Sequence, residues 1–165
     1  MDNLNQRSLY KFSFCLILLS LIILLPLSTV ATSQTLKATD LSLDKVGDEG
    51  TVIVKFTGGL PEGLSGGQIE LRLSRGVAKI VDFSLDPNDV FELEKVLNAT
   101  DKYIQLKFAD LSGGFQPGFS GEIIVAKLTL GGMNKGRDVL DMEPVDPPGL
   151  DDYDGEPLDV KIETG

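Results

Sequence analysis

The chain contains no histidine and no tryptophan, and its single cysteine, Cys15, lies in an apolar run near the start. Each absence removes a class of chemistry. Without histidine, Ser-His-Asp and Cys-His catalysis are excluded, and so are histidine-ligated zinc sites. No cysteine follows residue 15, so the rest of the chain forms no disulfide and apolar burial must hold it together. The missing tryptophan, with only Tyr103 and Tyr153 as later tyrosines, argues against a flat aromatic platform for crystalline cellulose. Positive charge is also scarce. Beyond residue 31 there are 24 acids and 13 bases, a net charge of −11, which excludes nucleic acid and anionic membrane surfaces as expected partners. Carboxylates are plentiful enough to hydrolyse a glycoside in pairs. Short strands in a domain of about 134 residues leave little room for a substrate cleft, so no enzyme is expected.

The first residues read as a targeting segment. Arg7 and Lys11 precede an apolar run from Phe12 to Leu25, Pro26 breaks it, and small polar residues follow. Basic flank, apolar core and small-residue exit are the order of a secretory signal peptide, here residues 1–31 with a cut after Ala31. An uncleaved anchor is the alternative, because the run through Ala31 reaches the roughly 20 residues that span a bilayer. Contact with a membrane is then expected only through this segment. Cys15 lacks the small-residue context of a lipoprotein cleavage site. On either reading the remainder is secreted or displayed on the extracellular cell surface.

What remains alternates with a period of two. Around Tyr103–Leu130 the order is strand, loop, strand, and the other strands are expected to add to this pair. Ile104, Leu106 and Phe108 share one face, opposite Tyr103, Gln105 and Lys107. Ile124, Ala126, Leu128 and Leu130 share the inward face of the second strand. The 13-residue ADLSGGFQPGFSG between them exceeds what a hairpin needs, so a functional loop or a mobile flap is expected, with Phe115 and Phe119 as core plugs or a contact patch. Elsewhere Leu41 and Leu43, then Val52, Val54 and Phe56, then Ile69, Leu71 and Leu73 alternate with polar neighbours. VAKIVDFSL and FELEKVL follow as strands, with Asn98-Ala99-Thr100 in the next turn. RDVLDM is a short edge strand, and PLDVKI is the last. With eight or so turn-punctuated strands and no helical period, the expected fold is an all-β two-sheet β-sandwich over residues 35–165.

The order of GDEGTVIVKFTGGLPEGLSGGQIELRLSRGVAKIVDFSL and YIQLKFADLSGGFQPGFSGEIIVAKLTLGG resembles a cohesin domain, the jelly-roll module of cellulosomal scaffolds and of archaeal and bacterial surface proteins. The likeness covers Leu36 to Gly165. It rests on the Gly-initiated first hairpin, the GLSGGxIELRL strand, the FADLSG after the central strand, and GEIIVAKLTLGG. The chain departs from the family where Leu73-Ser74-Arg75-Gly76 replaces a Tyr-Asp-Pro turn. It also stops at Gly165, ahead of the family's final strand, so either the sandwich lacks its closing strand or the gene is truncated; a missing strand leaves a sheet edge unpaired and open to another chain. The family shares its architecture with carbohydrate-binding modules, so sugar binding enters as fold analogy.

By this resemblance the partner is a dockerin-bearing or other surface protein that docks on one sheet face. Gln68, Glu70, Arg72, Asp110, Leu111 and Ser112 are the implied contacts, with an ordinary solvated strand face as the competing explanation. Leu111 is the most informative, being apolar in a polar loop. Tyr103 points outward and is the candidate glycan contact. Residues 138–163 hold ten acids and one base, Lys161. Asp152, Asp154 and Gly155 match part of a calcium loop, but Leu150 and Lys161 stand where ligands are needed. No metal or other cofactor is therefore expected; an irregular calcium site from Asp151, Asp152, Asp154 and Asp159 is the alternative to a solvated acidic loop. Asn98 begins the one N-x-S/T sequon beyond the leader. The expectation is an exported, non-catalytic, protein-binding module. A carbohydrate-binding module for polysaccharide catabolism is the second hypothesis, and a surface-layer component assembling through its open edge is the third.

Overall fold

The computed structural model describes residues 34–145 and 149–165. The expected signal peptide or anchor over residues 1–31 lies outside the described residues. Ten strands run in chain order: β1 (Thr35–Ala38), β2 (Glu49–Thr57), β3 (Gly66–Leu73), β4 (Ala78–Leu85), β5 (Leu93–Ala99), β6 (Tyr103–Ala109), β7 (Ile123–Gly132), β8 (Leu140–Pro144), β9 (Leu150–Asp151) and β10 (Lys161–Glu163). They form two facing sheets. One has the order β10-β1-β2-β7-β4; the other is β5-β6-β3-β8, with β9 paired to the start of β3.

The alternation read in the sequence becomes the core between the sheets. Val52, Val54 and Phe56 of β2 face Ile69, Leu71 and Leu73 of β3 and Ile104, Leu106 and Phe108 of β6, all of them buried. β-branched and aromatic side chains suit this pleated, half-buried setting, and the intervening polar residues turn to water.

Four expectations are corrected. The strands at 103–109 and 123–132 do not pair; β6 lies in one sheet and β7 in the other. The loop between them crosses the sandwich, and β2 to β3 changes sheets in the same way. On β7, Ile124 is not inward with Ala126. In register with β2, Val54 opposes Ala126 and Lys55 opposes Ile124, which leaves Val125 as a bulge. One extra residue reverses the alternation, so Ile123 and Val125 are buried on one side of the bulge and Ala126, Leu128 and Leu130 on the other. Asn98 sits within β5 opposite Gln105 rather than in a turn. Finally, the first sheet has its closing strand: β10 runs parallel to β1, pairing Leu36 with Ile162. This strand is shorter than PLDVKI, because only Lys161–Glu163 join the ladder.

The crossing loop is no free flap. Phe115 is buried and Phe119 half-buried against the core, so both are plugs. Ring contacts run in a chain from Phe56 to Phe108 (6.4 Å between centroids), Phe91 (4.7 Å), Phe115 (5.4 Å) and Phe119 (5.2 Å). That chain anchors the loop to the middle of the sandwich.

Candidate docking face

Gln68, Glu70 and Arg72 alternate with Ile69, Leu71 and Leu73 along β3, so burying the apolar set fixes the polar set on the outer face. Because β3 is central in its sheet, those residues have neighbours on both sides. Gln68 opposes Lys107, Glu70 opposes Gln105, and Arg72 opposes Tyr103 on β6. On the other flank Glu70 opposes Glu143 and Arg72 opposes Asp141 on β8.

Arg72 organises one end of this face. Its Nε and Nη2 donate to Glu70 Oε1 at 3.0 and 2.5 Å, and its guanidinium carbon lies 4.9 Å from the centre of the Tyr103 ring. The Glu70 hydrogen bond and charge hold the guanidinium pKa above its usual value. Burial, then the neighbouring Glu70, pushes the Tyr103 phenol up. Tyr103 therefore stays neutral, with one face of its ring covered by Arg72 and its hydroxyl donating to Gln105 Oε1 at 3.2 Å. A cleft of about 80 Å³ opens between Glu70, Arg72, Asp141 and Glu143.

At the end of β6 the chain turns through Asp110-Leu111-Ser112. Asp110 is buried and shapes the loop from within. One carboxylate oxygen accepts the Ser112 hydroxyl (3.2 Å) and the Gly113 N–H (3.0 Å), and the other accepts the Phe115 N–H (2.7 Å). The Glu92 carboxylate accepts the Leu111 N–H at 2.8 Å. Hydrogen bonds from the Ser112 side chain and the Leu111 backbone hold the Glu92 carboxyl below its usual range. The outcome is a braced loop that leaves the Leu111 side chain 71% exposed. An apolar side chain held out by a rigid loop is preorganised for contact.

The structure thus brings Gln68, Glu70, Arg72 and Tyr103 together on one face and places Leu111 and Ser112 at the end of the strand beside it. Asp110 supports the loop from inside. Asn98 is exposed on the same face, in register with Gln105. Sequence reasoning missed four charged neighbours: Lys95, Lys107, Asp141 and Glu143. Lys107 was visibly outward from its alternation, but the others join the face only through pairing registers that no local pattern reveals. Around Asp152 the acids do not converge on a common centre. One Asp152 oxygen accepts the N–H groups of Asp154 (2.9 Å) and Glu156 (2.8 Å), bracing its own turn. Among the described residues no three acidic side chains group as metal ligands.

No family model matches the chain, and no curated protein matches its sequence. Solved structures do match its fold. A chain of a type I cohesin–dockerin complex from Clostridium thermocellum gives a TM-score of 0.62 at 13% identity, over 81% of this chain and 96% of that one. A type III cohesin module of a cell-surface anchoring scaffoldin of Ruminococcus flavefaciens gives 0.60 at 13% identity, over 86% and 90%. A non-cellulosomal cohesin from the hyperthermophilic archaeon Archaeoglobus fulgidus gives 0.55 at 21% identity, over 81% and 88%. The chain therefore has the all-β sandwich fold of cohesin modules.

Proposed function

We propose that this cohesin-type sandwich is an exported, non-catalytic module that binds a dockerin-bearing surface protein through the outer face of β5-β6-β3-β8. The observation that carries the reading is the pairing of a polar sheet face, centred on Glu70 and Arg72, with Leu111 held out at its end by a loop braced on Asp110 and Glu92. An exposed apolar side chain beside a polar, hydrogen-bonding surface supplies the two kinds of contact that a protein–protein interface combines. Composition is consistent with it, since a chain without histidine has no histidine general base and no cysteine follows residue 15 to serve as a nucleophile.

Polysaccharide binding ranks second, because it would rest on Tyr103, one face of whose ring is already covered by Arg72. Assembly of identical copies ranks third. The edge beside β1 is taken by β10, which leaves only a three-residue strand open to another copy on that side, and a net charge of −11 beyond residue 31 repels like copies.

The test is a pull-down with tagged residues 32–165, which form one compact unit, on lysate and envelope fractions of the protein's own cells, with and without calcium. Capture of a dockerin-bearing protein, weakened by Glu70→Arg and by Leu111→Ala, is the expected result. Capture unaffected by both variants removes the face from consideration. Retention on glycan alone would favour the second reading, and self-capture alone the third.

A further inference from the structure

The docking face carries two cross-strand pairs of like charge, and they have opposite signs. Lys95 of β5 stands directly opposite Lys107 of β6. Glu70 of β3 stands directly opposite Glu143 of β8. Like charges in register across a sheet destabilise it. The free protein gives little relief. Neither lysine has an ion-pair partner among the described residues, and neither does Glu143; Arg72 pairs with Glu70 alone. On the β8 side three carboxylates, Glu70, Asp141 and Glu143, surround that one guanidinium in the cleft. On the β5 side the nearest acid across the ladder is Glu70, diagonal to Lys107 and already engaged by Arg72. One half of the face is left with unbalanced negative charge and the other with unbalanced positive charge.

Resting on the docking reading above, we propose that this face selects a partner α-helix that carries an acidic cluster and a basic cluster about two turns apart. The spacing follows from the register. The centres of the two pairs are two strands apart across the sheet and two residues apart along it, because Lys107 and Gln105 are the β6 residues in the respective rows. At about 4.8 Å per strand and about 3.4 Å per residue, that is about 12 Å on the diagonal. A helix rising about 1.5 Å per residue covers this distance in about eight residues. An extended peptide laid on the same face would leave its backbone N–H and C=O groups without partners, whereas a helix satisfies its own. The partner's acids meet Lys95 and Lys107, and its lysine or arginine meets Glu70 and Glu143 at the mouth of the cleft. A second copy of this chain is disfavoured as occupant by the net charge of −10.

The test uses the full chain in a non-ionic detergent and two immobilised helical peptides of identical composition in an alanine–glutamine background. In one peptide two glutamates are separated by eight residues from two lysines; in its isomer the same four charges alternate. The segregated peptide should be retained at least about tenfold better at low salt, with the difference lost at high salt as the charges are screened. Lys95→Glu with Lys107→Glu reverses the charge of the lysine half of the face and should abolish the preference. Equal retention, no retention of either peptide, or a preference that survives the double variant overturns the proposal. The unliganded protein supplies a readout free of any ligand. Lys95→Gln and Glu143→Gln each relieve a like-charge pair and should raise Tm by about 1–4 °C; a fall in Tm for either would show that the pair is structural and overturn it. The docking reading fails separately, through capture that Glu70→Arg and Leu111→Ala leave unchanged. If those variants weaken capture while the two peptides bind alike, the face stands and the charge polarity does not.

Discussion

Asp138 reaches back across sixty-one positions of sequence to accept the N–H of Val77 at 2.7 Å. The same oxygen accepts from Ala78 at 2.8 Å, and the other accepts from Arg75 (2.8 Å) and Val139 (2.9 Å). One carboxylate thereby ties the β3–β4 turn to the approach of β8. Both flank the proposed docking face, because β3 and β8 supply Glu70, Arg72 and Glu143. The clamp is thus how a residue outside the face holds the register of two strands within it.

Removing this clamp strands four backbone donors. Asp138→Ala should cost about 2–3 kcal/mol, and Asp138→Asn somewhat less, because the amide keeps one acceptor. Chemical denaturation reads the difference. Burial pushes the Asp138 carboxyl up, but the four backbone N–H groups outweigh it and leave the pKa below its usual value. A pKa depressed by folding contributes stability that is fully present above the unfolded aspartate pKa. That stability is lost as pH falls through the lower, folded value. Wild type should therefore lose its advantage over Asp138→Asn on acidification below the ordinary aspartate range. A difference that stays constant through that range would show that the charge of Asp138 contributes nothing.

The crossing loop supplies a second prediction. Phe115 is buried between Phe91 and Phe119, and its N–H is held by Asp110. Phe115→Ala should cost about 3–5 kcal/mol. Phe119→Ala should cost less, since that ring is only partly buried. Thermal melts of the two variants rank them. Equal losses would mean that the aromatic chain is not graded from core to surface.

How much of this was legible in the chain depends on the range of the interaction. Val52, Val54 and Phe56, or Ile69, Leu71 and Leu73, announce buried strands because alternation is a local property of the backbone. Which sheet a strand joins is not local. Tyr103–Ala109 and Ile123–Gly132 look like a pair because they are adjacent in sequence, yet the aromatic residues of the intervening loop plug the core and carry the chain to the opposite sheet. The Val125 bulge hides similarly, since one inserted residue leaves each half of β7 alternating correctly while their phases disagree. Of the site, Glu70 and Leu111 were visible by alternation and by an apolar side chain out of place. Asp110 stands before Leu-Ser-Gly-Gly, the composition of a loop that an aspartate braces, and that signal marks it as a support for the loop. Lys95 opposite Lys107 required the register.

Leu111 separates binding from folding. Its side chain is largely exposed and touches no part of the core, so Leu111→Ala should change stability by less than about 0.5 kcal/mol. As an anchor at the interface it should weaken partner capture by about tenfold or more. Calorimetry and the pull-down give the two numbers. A loss of stability accompanying the loss of capture would make Leu111 a structural residue and remove its part in docking.

Asn98 lies on the same outer face, exposed in β5 and in register with Gln105. Asn98-Ala99-Thr100 has the N-x-S/T sequence of a glycan acceptor, and a glycan attached there would stand over the lysine side of the proposed docking surface. In a host with N-glycosylation, part of the protein should carry additional mass that Asn98→Gln removes. Glutamine is the better probe than a change at Thr100, whose Oγ1 accepts the Lys102 N–H at 3.3 Å and shapes the β5–β6 turn. Only the unmodified fraction should be captured by the partner, because a glycan several times the size of a side chain cannot be buried beneath a docked helix. Mass spectrometry of bound and unbound fractions decides the matter. Enrichment of the glycosylated form in the bound fraction would mean either that the sugar is itself part of the contact or that the partner sits elsewhere, and binding by Asn98→Gln distinguishes these: lost in the first case, kept in the second.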